Sequence, residues 1–158
     1  MNYGSRVKLL CTEVRYTKQM ECRFCDIEQK EAQRVLEVLE YVTVLFSNPR
    51  LMPGHLLVIP KRHVLHLSEL NEQERKELFD TTIAYQEKIL KNVASGCDIK
   101  QHNRPFLPES DLKVDHAHIH LQPREFEDEL YTKALVNERQ IFQPLTDEEV
   151  EKYIRLFL

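Results

Sequence analysis

The sequence predicts an α+β domain, and three observations carry that expectation. Histidines recur at every second position from His116 to His120 against apolar neighbours, short β-branched runs fill residues 33–60, and a long helical stretch begins at a capping box. At 158 residues the chain can bury a real core and fits one domain, 1–158, with a variable N-terminal arm (1–20) and a C-terminal extension with a helix (125–158). Charged residues make up 30% and apolar residues 42%, the balance of a folded globular protein. The net charge of −4 argues against nucleic acid or a membrane surface as partner, since both call for a basic excess. Neither a signal peptide nor an apolar run of ~18–20 residues is present, so a cytoplasmic location is expected.

Taken in order, Cys22-Arg23-Phe24-Cys25 is a pair that in a reducing compartment more often holds metal or does redox chemistry than forms a structural disulfide. Residues 33–46 read as two antiparallel strands with a tight turn near Glu40. Two prolines and a glycine make residues 47–54 a loop, and His55–Pro60 is a third, apolar strand with His63 just past its end. Asn71 and Glu74 form a capping box for a helix over 71–93, whose stripe Phe79, Ile83, Gln86, Leu90 and Val93 is expected in the core, with Gly96 as its stop. A fourth strand, 97–103, leads into the loop 104–112. Thr146 to Glu149 is a second capping box, opening a final helix with Val150, Ile154 and Phe157 on one face.

The histidine row carries the chemistry. In an extended strand residues two apart stand ~6.6–7 Å from one another on one face, so His116, His118, His120 and Gln122 share a front face while Ala117, Ile119 and Leu121 dock on the core. Two partitions are open. Histidines of the row could hold a catalytic zinc with an open position, or Cys22, Cys25, His63 and one histidine of the row could close a structural Cys₂His₂ tetrahedron. In the second case the remaining imidazoles are free, and a neutral imidazole can attack phosphorus to form a covalent intermediate.

His116-Ala117-His118-Ile119-His120-Leu121-Gln122, followed by Pro123-Arg124, resembles the signature of the histidine-triad (HIT) superfamily of nucleotide hydrolases and transferases. The stretch from Pro53 to His63 resembles the family's second hallmark, and Cys22-x-x-Cys25 the zinc-binding pair of its bacterial-type members. The resemblance implies a five-stranded antiparallel sheet with one long helix, usually in a homodimer with two nucleotide sites. It implies His118 as nucleophile, His120 as the contact to phosphate and leaving group, and His55 as a support from the neighbouring strand. Cys22, Cys25, His63 and His116 match the four ligands of a structural zinc. Substrates of such a family join a nucleoside monophosphate, purine being expected here, through its α-phosphate to another group, as in a dinucleoside polyphosphate or a nucleoside phosphoramidate.

Departures from the pattern bear on the substrate. Gln122 stands where an apolar residue is usual, and Pro108 to Lys113 replaces a Gly-Gly-Gln-Ser/Thr segment, leaving Ser110 and Lys113 as candidates for the phosphate contact. The residue holding the ribose falls at Ser47 or Asn48, and Asn103 is the candidate amide before the loop. His66 and His102 read as surface or loop histidines, Cys11 and Cys97 as plain thiols. Two other functions remain open, a non-catalytic nucleotide-binding regulator and a hydrolase with catalytic zinc on the histidine row.

Overall fold

The β-branched residues after Arg34 fold as a hairpin in which β1, Val35–Val38, pairs antiparallel with β2, Val42–Phe46, across the turn expected near Glu40. Next to β2 lies β3, Leu56–Pro60, buried along its whole length, and a strand covered on both faces reads as one apolar run. Beyond β3 come β5, Ile119–Arg124, and then β4, Gly96–Lys100, giving the order β1-β2-β3-β5-β4 with every neighbouring pair antiparallel. This is the α+β architecture with the five-stranded antiparallel sheet that the sequence implies. The computed structural model describes residues 22–110, 112–135, 138 and 141–157, so the N-terminal arm (1–20) and Cys11 lie outside the described residues.

Glu72–Asn92 forms one long helix (α2; α1 is the single turn Ile27–Lys30). Its start is the expected capping box, with Asn71 accepting from the Glu74 N–H at 2.9 Å while Glu74 accepts from the Asn71 N–H at 2.8 Å. The buried face corrects the sequence expectation. Leu78, Thr82, Tyr85 and Ile89 are the residues turned into the core, whereas Phe79, Ile83, Leu90 and Val93 are 45–56% exposed. A one-residue shift rotates a helical stripe by about 100°. Two threonines and Glu74 on the buried face disguised it as polar, yet Thr82 satisfies its hydroxyl by donating to the Leu78 carbonyl at 2.7 Å. Gly96 is the first residue of β4 rather than the helix stop, which falls at Val93.

The main core joins Val42, Val44, Val58, Leu78, Ile89, Ala117, Ile119 and Leu121. A second cluster on the opposite sheet face gathers Ile27, Leu45, Leu57 and Ile59, with Phe24 and Val35 packed against it. Gly54 sits at φ +75°, where a Cβ would strain the backbone and press on Pro123 and Val93 at 3.3 Å, and this turn delivers His55 to β3.

The chain divides into two compact units, one ending at Glu125 and the other beginning at Phe126. In the second, α3 spans Asp147–Phe157, and Thr146 and Glu149 bond reciprocally at its start. Among the described residues no helix is long and apolar enough to cross a membrane.

Candidate active site and metal centre

The histidine row is not one uninterrupted strand. Pairing begins at Ile119, because the His116 N–H turns to the Val114 carbonyl at 2.9 Å and the Ala117 N–H is given to Val64 at 2.7 Å. Ala117, Ile119 and Leu121 still face the core as alternation requires. On the other side of the chain Phe24 contacts both His116 and His118.

His116 goes to the cysteines. Its Nδ1 lies 3.4 Å from Cys22 Sγ and 3.9 Å from Cys25 Sγ, and Cys25 Sγ lies 3.4 Å from His63 Nδ1. All four donor atoms fall within 4.8 Å of one another. A zinc tetrahedron with bonds of ~2.0–2.3 Å has edges of roughly 3.3–3.8 Å, so the set fits such an ion with a slight contraction. His116 Nε2 faces the Pro60 carbonyl at 2.8 Å and must donate to it, which leaves the Nδ1 lone pair toward the sulfurs. Burial holds the His116 pKa down to about 4, so the ring is neutral, as a ligand must be. Burial and the neighbouring Cys22 push the Cys25 thiol up to about 12, a preference that a ligated cation would reverse.

The other imidazoles form a relay with defined tautomers. The Leu51 N–H donates to His55 Nδ1 at 3.1 Å, so the proton of His55 sits on Nε2. That proton faces His120 Nδ1 at 3.0 Å, so His120 carries its own proton on Nε2, the nitrogen facing outward. His118 is set the opposite way, because its Nδ1 donates to the His116 carbonyl at 2.6 Å and Nε2 keeps its lone pair. Burial, helped by repulsion from the surrounding cationic groups, lowers His55 to about 4 and His120 to about 3. His118 is also lowered by burial, against the opposing effect of its bond to His116. At neutral pH the site therefore presents one lone pair and one N–H side by side, with ring centroids 4.7 Å apart.

Two cavities meet at these rings. One, about 310 Å³, is lined by Ser47, Asn48, His55, Phe24 and Gln122 among others. The second, about 220 Å³, is lined by His66, Asn103, Lys113 and Asp115. Each also reaches His118 and His120. The structure thus gathers Ser47, Asn48, His55, Gln122, Asn103 and Lys113 around the pair. Ser110 lines neither cavity, since its hydroxyl accepts from the Leu112 N–H at 3.2 Å inside the turn that bridges Ser110 and Lys113. The Ser47 hydroxyl is committed to the Pro49 carbonyl at 2.9 Å, and Lys113 pairs with Asp115. Gln122 is 2% exposed, and its Oε1 has no partner among the described residues.

The sequence reading missed His102 and Phe24. His102 lies two residues past Lys100, which pairs with His120, and its ring centroid is 4.9 Å from that of His120. The polar alternation Asp98, Lys100, His102 was the available signal. Phe24 sits edge-on to His118 at 5.2 Å and to His116 at 5.9 Å.

A row of alternating histidines that presents one lone pair and one N–H side by side, on a five-stranded antiparallel sheet, has the form of a histidine-triad protein. The HIT domain model matches residues 28–127, and the chain belongs to that family of nucleotide hydrolases and transferases. It is 34% identical over 77 residues to the asymmetrical bis(5'-nucleosyl)-tetraphosphatase of Schizosaccharomyces pombe, a match spanning 47% of this chain and 40% of that protein. Its fold is similar to that of a HIT family protein from Bacillus anthracis, with TM-score 0.63, 23% identity and coverage of 87% of this chain and 94% of the other. A zinc-bound histidine triad protein from Mycobacterium smegmatis superposes with TM-score 0.59 at 23% identity, over 71% of this chain and 81% of the other.

Proposed function

We propose that the protein is a nucleotidyl hydrolase or transferase that works through a covalent nucleotidyl-histidine on His118. The observation that carries this reading is the opposed tautomers of His118 and His120. His118 Nε2 attacks the α-phosphorus, and the bond from phosphorus to the leaving group breaks. His120 Nε2–H donates to a non-bridging oxygen, where charge builds in the transition state. Water or another acceptor then displaces His118. The larger cavity suits the nucleoside, with Ser47, Asn48, His55 and Gln122 around it. Asn103, Ser110 and Lys113 are assigned to the leaving-group side, Ser110 as a shaper of the turn. A dinucleoside polyphosphate or a nucleoside phosphoramidate, with a purine base, is the substrate class favoured by the family and by the tetraphosphatase relative.

Cys22, Cys25, His63 and His116 would hold a structural zinc, whose bound charge supplies folding free energy and keeps the thiolates ionised. A homodimer in the cytoplasm completes the reading. It is supported by the edge position of β4, by Ile99, 42% exposed on that edge, and by the uncovered apolar residues of α2.

Intact mass spectrometry after brief exposure to diadenosine tetraphosphate or an adenosine phosphoramidate is the test. An adduct of one nucleotidyl group that vanishes in His118→Ala is expected. AMP binding with neither adduct nor turnover would instead establish a nucleotide-binding module.

A further inference from the structure

His102 is the side chain that the triad chemistry leaves unused, yet it stands where the bond must break. The two cavities share His102, Arg104, Leu112, Val114, His118 and His120. With the nucleoside in one cavity and its leaving group in the other, the scissile bond crosses this shared boundary. A leaving alkoxide or amide anion needs a proton there. His118 holds its proton on the nitrogen bonded to the His116 carbonyl, and a neutral His120 could surrender its Nε2 proton only by becoming an imidazolate. Leu112 and Val114 have no proton to give, and Arg104 stays charged.

We propose that His102 is a further catalytic residue, the acid that protonates the leaving group and the base that later deprotonates the attacking water. The proposal rests on His118 being the nucleophile. In the first half-reaction His118 Nε2 bonds to phosphorus, the phosphorus–leaving-group bond breaks, and the departing atom takes a proton from the His102 imidazolium. In the second, water bonds to phosphorus, the His118 nitrogen leaves with its electron pair, and neutral His102 takes the water's proton. Atoms and charge return to the starting state.

His102 is exposed, whereas His120 is half-buried. Burial, Arg104 and Lys100 lower the His102 pKa in the free protein, and His55, His118 and His120 line the same cavity. A bound phosphate anion opposes all of these and favours the protonated ring.

Single-turnover rates of wild type, His102→Ala and His102→Asn on two AMP conjugates test the proposal. One is the 4-nitrophenyl ester, whose leaving group departs without a proton, and the other is an alkyl phosphoramidate, whose amine does not. General acid catalysis contributes about 10²–10⁴-fold. Both variants should therefore lose at least tenfold more rate on the amidate than on the ester, and the loss of amidate cleavage above the His102 pKa should disappear. Equal losses on both conjugates, or no loss on either, would overturn the proposal. Wild type cleaving neither conjugate, with no adduct on His118, would fell the nucleotidyl-transfer reading itself and this proposal with it.

Discussion

Two clusters grow from one bend in the chain, made of similar side chains and arranged in opposite senses. At Cys22, Cys25, His63 and His116 the donor atoms face one another within 4.8 Å. At His118 and His120 each Nδ1 is bonded inward, to the His116 carbonyl and to His55, which leaves each Nε2 toward the cavities, while both nitrogens of His55 are engaged. What separates them is the partner of each ring's second nitrogen. The Pro60 carbonyl fixes His116 with its lone pair toward sulfur, while the carbonyl of His116 itself fixes His118 with its lone pair toward the cavity. A histidine's chemistry is thus set by what holds the nitrogen that does not act.

That contrast is broken most severely at His118, the proposed nucleophile. His118→Ala should lower turnover by about 10³-fold or more while Tm stays within a few degrees, measured by steady-state kinetics and calorimetry. A large Tm loss would make both clusters structural. His55→Ala removes the donor that fixes the His120 tautomer, so kcat should fall roughly 10²-fold with KM little changed.

On the metal side the sign of the effect reverses. Cys25→Ser should abolish stoichiometric zinc in elemental analysis and lower Tm by about 5–10 °C, with residual activity in whatever remains folded.

Acid should act on the relay. Folded His55 and His120 lie at about 4 and 3, below the ordinary 6.5, so the unfolded chain binds more protons in between. Their contribution is whole above pH 6.5 and is lost as pH falls toward 4, at a limiting ~1.4 kcal/mol per pH unit for each ring. Glu74, held down to about 2 chiefly by its bond to Arg62, adds stability above the unfolded value of 4.5 that fades toward pH 2. A Tm flat from pH 7 to 4 would contradict the neutral relay.

The smallest effect is expected at Gln122. Replacing it with leucine removes an orphaned buried acceptor, so stability should rise by about 1 kcal/mol in denaturant titration while the nucleotide KM increases.

The row of histidines, the capping box at Asn71 and the strands were legible because each is a local pattern with a period or a cap. The core face of α2 was not. Two adjacent stripes compete there, and Phe79, Ile83, Leu90 and Val93 look more apolar than Thr81, Thr82 and Glu74, although the latter are the buried ones. His102 was hidden for another reason. It comes 14 residues before His116 in sequence, and only the pairing of Lys100 with His120 brings it to the triad. The row itself was legible as a shared face, whereas the hydrogen bond that Ala117 gives to Val64, which delays the strand pairing to Ile119, has no local signature.

Phe24, held between the two cysteines, links the clusters through its edge contacts to His116 and His118. Cys22 meets His116 across 94 residues of sequence and Cys25 meets His63 across 38. Contacts that close such long loops form only after the local hairpin and helix have narrowed the chain's freedom. The pairing of Leu56 with Leu121 closes a stretch of comparable length, so the aromatic wall beside His118 is assembled together with the centre of the sheet rather than with its local hairpin.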